Sequence, residues 1–438
     1  MQSDSPSLRS LCSLIVDCPH STPTWTDTGF VVIRNQNIKS GRLDLSSPSF
    51  TDAEHFAHRI RRAKPRAGDI VITREAPMGE VCMIPEGLEC CVGQRQVLLR
   101  PDPRKVVGRF LLYALQATSV QRQIDWNSGT GSTVSNLRIP VLEELKIPRP
   151  SLEEQTFIAE MLGGLDDQID LLRQTNTTLE AIAQAIFKSW FIDFDPVHAK
   201  AKGLAPEGMI EATAALFPNA FEASALGEIP KGWTAGTLAD LSKLNPESWT
   251  SGNHSDRVLY VDLANAKNNE VYATTEMLFD EAPSRARRVL RSGDTIVGTV
   301  RPGNRSFAFI HEPAANLTGS TGFAVLRPIK VTATEYVFLA ATQDASIDRL
   351  THLADGAAYP AVRPDVVAGL TCVVPPEPVL AAFHALCESL LISVCANQRE
   401  AQTLADLRDT LLPRLISGKL RIPEAEGLIE EFVGEPAA

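Results

Sequence analysis

The sequence predicts an α/β chain made by tandem duplication, in which an α/β domain followed by a long helix occurs twice and the two helices pair as an antiparallel coiled coil. Three observations predict it. Segments recur at an offset of about 225 residues, short β-type runs broken by Gly and Pro fill the first part of each copy, and a long apolar stripe fills the second. At 438 residues the chain also exceeds the ~100–200 residues expected of one domain.

The repeat is traced through short matches. Arg66-Ala67-Gly68-Asp69-Ile70 returns as Arg291-Ser292-Gly293-Asp294-Thr295-Ile296, and Arg59-Ile60-Arg61-Arg62 as Arg285-Ala286-Arg287-Arg288. Arg100-Pro101 matches Arg327-Pro328, Gly131 matches Gly356, and Leu145 to Pro150 matches Leu370 to Pro375. In each first part, runs such as Asp69 to Thr73 and Asp294 to Thr299 read as strands, and Gly and Pro mark the turns between them.

The second parts read as helices. Ile158, Leu162, Leu165, Ile169, Leu172, Leu179, Ile182 and Ile186 recur in steps of three and four, with Asn176 interrupting the seam. Phe383, Cys387, Leu390, Val394, Asn397, Leu404, Leu407 and Leu411 repeat the pattern. At 1.5 Å per residue each helix would run roughly 60 Å, the length of a spacer rather than of a small domain's core helix. Gly163-Gly164 marks an expected kink in the first. The chain thus divides into a first domain at 1–150, a helix at 151–195, a linker at 196–225, a second domain at 226–376, a helix at 377–422 and an acidic tail at 423–438.

Composition excludes several classes. No run of about 18 uninterrupted apolar residues suggests a membrane span, and Met1-Gln2-Ser3-Asp4 gives no basic start, so a cytoplasmic location is expected. The eight cysteines lack CxxC pairs and read as reduced thiols. His55 and His58 have no partners completing a zinc set, so no metal site is expected. The net charge of −11 is segregated, with residues 1–150 at +4 and residues 151–225 at −8, so it does not argue against nucleic acid.

Four stretches in fixed order carry a family likeness. They are Ile147-Pro148 leading to Leu152-Glu153-Glu154-Gln155, the run Ser189 to Val197 followed by Ala199-Lys200-Ala201-Lys202-Gly203, Leu226-Gly227-Glu228-Ile229-Pro230-Lys231-Gly232-Trp233, and Leu412-Pro413-Arg414-Leu415-Ile416-Ser417-Gly418-Lys419-Leu420. In these the chain resembles the specificity subunits of type I restriction-modification systems, over nearly its whole length. It departs from the pattern at two places: the first domain lacks a Gly-Glu-Ile-Pro-x-Gly-Trp opening, and Glu377-Pro378-Val379-Leu380 has lost the Glu-Gln pair.

The resemblance implies two target-recognition domains that read double-stranded DNA. Two methyltransferase subunits, with or without motor-nuclease subunits, would dock on this chain and act on the DNA. S-adenosylmethionine, and ATP with Mg²⁺ where a motor is present, would be held by those partners, and no cofactor by this chain. The residues agree by omission: there is no Asn/Asp-Pro-Pro-Tyr/Phe run, no phosphate loop and no full Gly-x-Gly-x-x-Gly, and Ser128-Gly129-Thr130-Gly131-Ser132 reads as a turn. A structural coiled-coil adaptor is the alternative, followed by a self-contained methyltransferase or nuclease.

Candidate DNA contacts fall into groups. The repeated arginines are Arg59, Arg61 and Arg62 with Lys64 and Arg66, and Arg285, Arg287 and Arg288 with Arg291; guanidinium neutralises phosphate and grips guanine O6/N7 as a fork. Loops after the shared strands offer Arg74, Gln94, Arg95 and Gln96 in the first domain and Arg301, Asn304, Arg305 and Ser306 in the second. Asn127, Ser132, Thr133 and Asn136, with Tyr359 and Arg363 in the other copy, complete the expected clefts. The loops differ while the framework matches, as two readers of different half-sites require.

Overall fold

A computed structural model describes residues 5–126, 136–356, 359–421, 423–425 and 427. The described chain falls into two units, one made of Met1–Ile169 with Thr403–Ala438 and the other of Asp170–Gln402. Each contains one α/β domain with parts of both long helices.

The duplication is visible strand by strand. In the first unit, Cys12–Asp17, Gln96–Pro101, Ile70–Thr73 and Val81–Met83 are neighbours in that order, all antiparallel. In the second, Ser242–Leu244, Phe323–Pro328, Thr295–Gly298 and Phe307–Phe309 repeat the order and the pairing. A second sheet joins Phe30–Ile33 in parallel to Cys90–Val92, as Arg257–Val261 joins Leu317–Ser320. The central strands are buried on both faces, which is why Ile70 to Thr73 and Phe323 to Leu326 read as continuous rather than alternating runs.

Helices Gly108–Gln116 and Thr334–Thr342 cover the first sheet of each domain, with Phe110 and Tyr113 in one core and Tyr336 and Phe338 in the other. The eight cysteines are free. Burial pushes the thiols of Cys82 and Cys90 up to about 12, so they are protonated core residues with no thiolate to react.

The two long helices are Leu152–Phe191 and Glu377–Ile416, 40 residues each. Ser151 and Glu154 start the first with a capping box, each side chain accepting from the other's backbone N–H. Gln155 then docks the helix by accepting from Val107 N and donating to Pro150 O, at 2.9 Å each. At the start of the second helix that role passes to Glu377, which accepts from Lys330 Nζ at 2.8 Å and Thr332 Oγ1 at 2.6 Å. The helix is continuous through Gly163-Gly164, and a Cβ on Gly163 would meet Arg109 Cζ at 2.5 Å. Gly163 is there so that Arg109 can lie across the helix and bond Asp167 and the Gly163 carbonyl.

The helices pair antiparallel in both units. In the first unit Arg408 Nη1 donates to Asp166 Oδ1 at 2.6 Å, while Tyr113 and Arg42 tie the same aspartate to the domain. In the second, Phe187, Trp190 and Phe191 pack on Phe383, with Tyr336, Phe217 and Trp233 closing an aromatic core. Asn176, which breaks the apolar seam, is answered there by Asn397, whose Nδ2 donates to Asn176 Oδ1 at 2.8 Å. Asn176 Nδ2 donates in turn to Val394 O at 3.2 Å. An 18-residue window of the second helix reaches a mean hydropathy of 1.9, long and apolar enough to cross a membrane; here Phe383, Cys387, Leu391 and Val394 are buried against protein.

Candidate nucleic-acid interface

At the repeated turn a shared backbone carries different residues in the two domains. Strand Ile70–Thr73 leads into Arg74-Glu75-Ala76-Pro77, and strand Thr295–Gly298 into Thr299-Val300-Arg301-Pro302. The ladder around both turns is the same: Arg74 N donates to Arg95 O and Leu137 N to Arg74 O, while Thr299 N donates to Gly322 O and Val362 N to Thr299 O. Ala76 and Arg301 both sit in the left-handed region, at φ 44° and 48°. A non-glycine residue there is strained, and such strain persists where surrounding structure holds it.

The first-domain arginines separate by burial. Arg59 ends helix Ala53–Arg59, is 4% exposed, and spends its guanidinium on the carbonyls of Val92, Ser21 and Pro19. Arg74 is likewise enclosed, donating to both carboxylate oxygens of Asp17, to Leu137 O and to Asn136 Oδ1. Gln96 is fully buried between Gly93 N and Asn35. Burial removes these three from the DNA-facing set; they brace the framework instead. Asn136 is half-buried and divides its amide between Arg74 and Glu75, whereas Arg61, Arg62 and Arg66 are exposed. Lys64 is exposed and paired with Glu89.

The second cluster is not the structural counterpart of the first. Arg287 and Arg288 lie on strand Ala286–Val289, where Arg59 lies on a helix. Arg285 is exposed and braced by Tyr260 and Asp262. Arg287 lies 4.5 Å from the centroid of the buried Phe279 ring, and Arg288 is half-buried, which lowers its pKa. Arg291 bonds Glu247 at 3.0 Å, and Glu247 also holds Arg327. The charge recurs in sequence, but the surface it makes does not.

The loop residues are better placed. Arg95 is exposed, at φ 65°, and 3.3 Å from Glu75; Gln94 donates to His20 O and Thr22 Oγ1. In the second domain Arg301 and Asn304 are exposed, Arg305 at φ 59° bonds Asp344 and Asn268, Ser306 is half-buried, and Arg363 pairs with Asp365 at 3.2 Å. Tyr359 is 73% exposed and lies under the Arg301 guanidinium. Asn127, Ser132 and Thr133 lie outside the described residues.

A cleft of about 450 Å³ in the first domain is lined by Trp25, Arg34, Asn35, Gln36, Ala76 and Arg95, among others. Trp25, Arg34, Asn35 and Gln36 were not singled out from sequence, because none belongs to a repeated match. The available signal was a tryptophan standing between Pro23 and the strand at Phe30, with an arginine nine residues on.

Residues 18–181 match the family model described as the type I restriction modification DNA specificity domain. The specificity subunit of the type I restriction enzyme MjaIX from Methanocaldococcus jannaschii is 26% identical over 368 residues, 82% of this chain and 78% of that protein. The HindI specificity subunit from Haemophilus influenzae is 23% identical over 404 residues, 81% of this chain and 87% of that protein. The crystal structure of the type I restriction-modification S subunit from M. genitalium aligns with a TM-score of 0.53 at 16% identity, covering 93% of this chain and 94% of that one, a likeness of fold.

Proposed function

We propose, on the premise that this chain belongs to the specificity subunits of type I restriction-modification systems, that it reads an asymmetric, split DNA target and supplies no catalytic group itself. The observation that carries this reading is the matched framework with unlike turns: the same strand order in the first sheet and the same turn ladder in both domains, but Ala76 in one and Arg301 in the other. Phosphate contacts from exposed residues such as Arg61, Arg62, Arg66 and Arg285 would position each domain, and the unlike loops would read base edges in the major groove. The paired helices would set the unread gap between half-sites.

Two like helices and two like domains would also offer like contacts twice, suited to two copies of one methyltransferase subunit, with motor-nuclease subunits joining where the system cuts. S-adenosylmethionine and any ATP with Mg²⁺ would belong to those partners, and the complex would work in the cytoplasm. The test is to co-express the chain with its neighbouring methyltransferase and map methylated adenines across the host genome. Methylation at one split motif with a fixed gap supports the proposal. No new methylation from a soluble, associated complex overturns it and favours a coiled-coil adaptor.

A further inference from the structure

Two arginines lie on solvent-exposed rings, one in each domain. Arg34 Cζ lies 5.1 Å from the centroid of Trp25, which is 45% exposed, and Arg301 Cζ lies 5.0 Å from that of Tyr359. Among the described residues, the ring beneath the other arginines is buried, as for Arg287 on Phe279 and Arg305 on Phe307. The two exposed pairs come from different points of the repeat, yet each lies beside the same turn of its own domain. Ala76 lines the cleft beside Trp25 and Arg34, and Arg301 stands at the repeat position of Ala76, with the same left-handed backbone before a proline.

We infer that each domain reads one guanine with an arginine splinted on an aromatic ring, Arg34 on Trp25 in the first domain and Arg301 on Tyr359 in the second. This rests on the proposed DNA-reading function and names residues within it. A guanidinium lying against a ring keeps its N–H groups in the plane, directed outward, where a fork can meet guanine O6 and N7. A free surface arginine must give up its rotamers on binding, whereas a splinted one has already given up part of them. In the first cleft Asn35 Nδ2 bonds Glu75 O, Gln94 bonds His20 O and Thr22 Oγ1, and Arg95 is held by Glu75, while Arg34 is exposed and makes one long side-chain bond, Nη1 to Ser49 Oγ at 3.4 Å. Trp25 and Tyr359 are positioning residues; the arginines make the contact.

The experiment is the same methylation map, made with variant chains in the assembled complex. Arg34→Ala should reduce the preference for guanine at one position of one half-site by roughly tenfold or more, leaving the other half-site unchanged. Arg301→Asn, chosen because asparagine tolerates the left-handed backbone, should do the same in the other half-site. Trp25→Ala should relax the same position as Arg34→Ala, and Trp25→Phe should restore it, which a merely structural role would not produce. An unchanged motif, or methylation that falls evenly without any change of base preference, overturns the inference, provided the wild-type complex gives a split motif. A wild-type complex with no split motif overturns the proposed function itself.

Discussion

Arg100 holds Asp69 through two parallel hydrogen bonds, Nε to Oδ1 at 2.8 Å and Nη2 to Oδ2 at 2.7 Å. Arg327 holds Asp294 in the same way, at 2.7 and 2.9 Å, and both aspartates are buried. The two repeated fragments, Arg-x-Gly-Asp and Arg-Pro, are thus the two ends of one ion pair. Removing one partner of a buried pair leaves the other uncompensated, so Asp69→Asn should cost about 3 kcal/mol in urea denaturation. Asp294→Asn should cost less, because Glu247 still faces Arg327. Equal losses would remove Glu247 from the explanation.

The asparagines of the helix seam should behave as a coupled pair. Asn176→Leu leaves Asn397 without its acceptor in a half-buried site and should destabilise by about 1–2 kcal/mol. The double variant with Asn397→Leu should recover most of that loss, at the expense of a less strictly fixed register. A double-mutant cycle by thermal denaturation measures the coupling; additive losses would mean that the two side chains act independently.

Two glutamates should respond to pH in opposite senses. Burial raises the pKa of Glu180, against a hydrogen bond from Asn269 that lowers it. Its contribution to stability is therefore present below the ordinary carboxylate range and lost as pH rises through the folded value. Glu180→Gln should flatten that loss and stabilise the protein at neutral pH. For Glu247, burial alone would raise the pKa, but the bonds from Arg327 and Arg291 outweigh it and the net shift is downward. Its contribution is present above the ordinary range and lost as pH falls, so Glu247→Gln should destabilise at pH 7, by about 1 kcal/mol given its partial exposure, and much less at acid pH. Denaturation curves at pH 4 and pH 7 check both signs.

If the helix pair sets the gap, one added heptad in each helix should lengthen the methylated motif's spacer by about 10 Å, or about three base pairs, without altering either half-site. A fixed spacer in a folded, active complex would assign the gap to something other than the helices.

What was legible in the sequence was whatever the duplication wrote twice. The strands at Ile70–Thr73 and Thr295–Gly298, the long helices and their seam are repeated, and self-similarity and periodicity expose them directly. The repeated arginines misled because sequence spacing does not reveal the element carrying them: Arg59 turns inward from a helix end, while Arg287 and Arg288 sit on a strand. Gln96 looked like a loop residue and is the fully buried first residue of a strand. The Trp25 cleft stayed hidden for the opposite reason, since its lining is unique to one copy and converges from separate loops.

The division of the chain into units also bears on its synthesis. Asp170–Gln402 is one unbroken stretch, whereas the other unit needs Met1–Ile169 together with Thr403 and beyond. On a ribosome the first domain emerges early, but its helical support leaves the tunnel last. The later-encoded unit is therefore the first that can be completed, and the earlier one must wait, partly assembled, until the residues from Thr403 onward have emerged. A nascent chain stalled once Gln402, but not the residues after it, has left the tunnel should thus protect the second unit from protease while the first remains open to it.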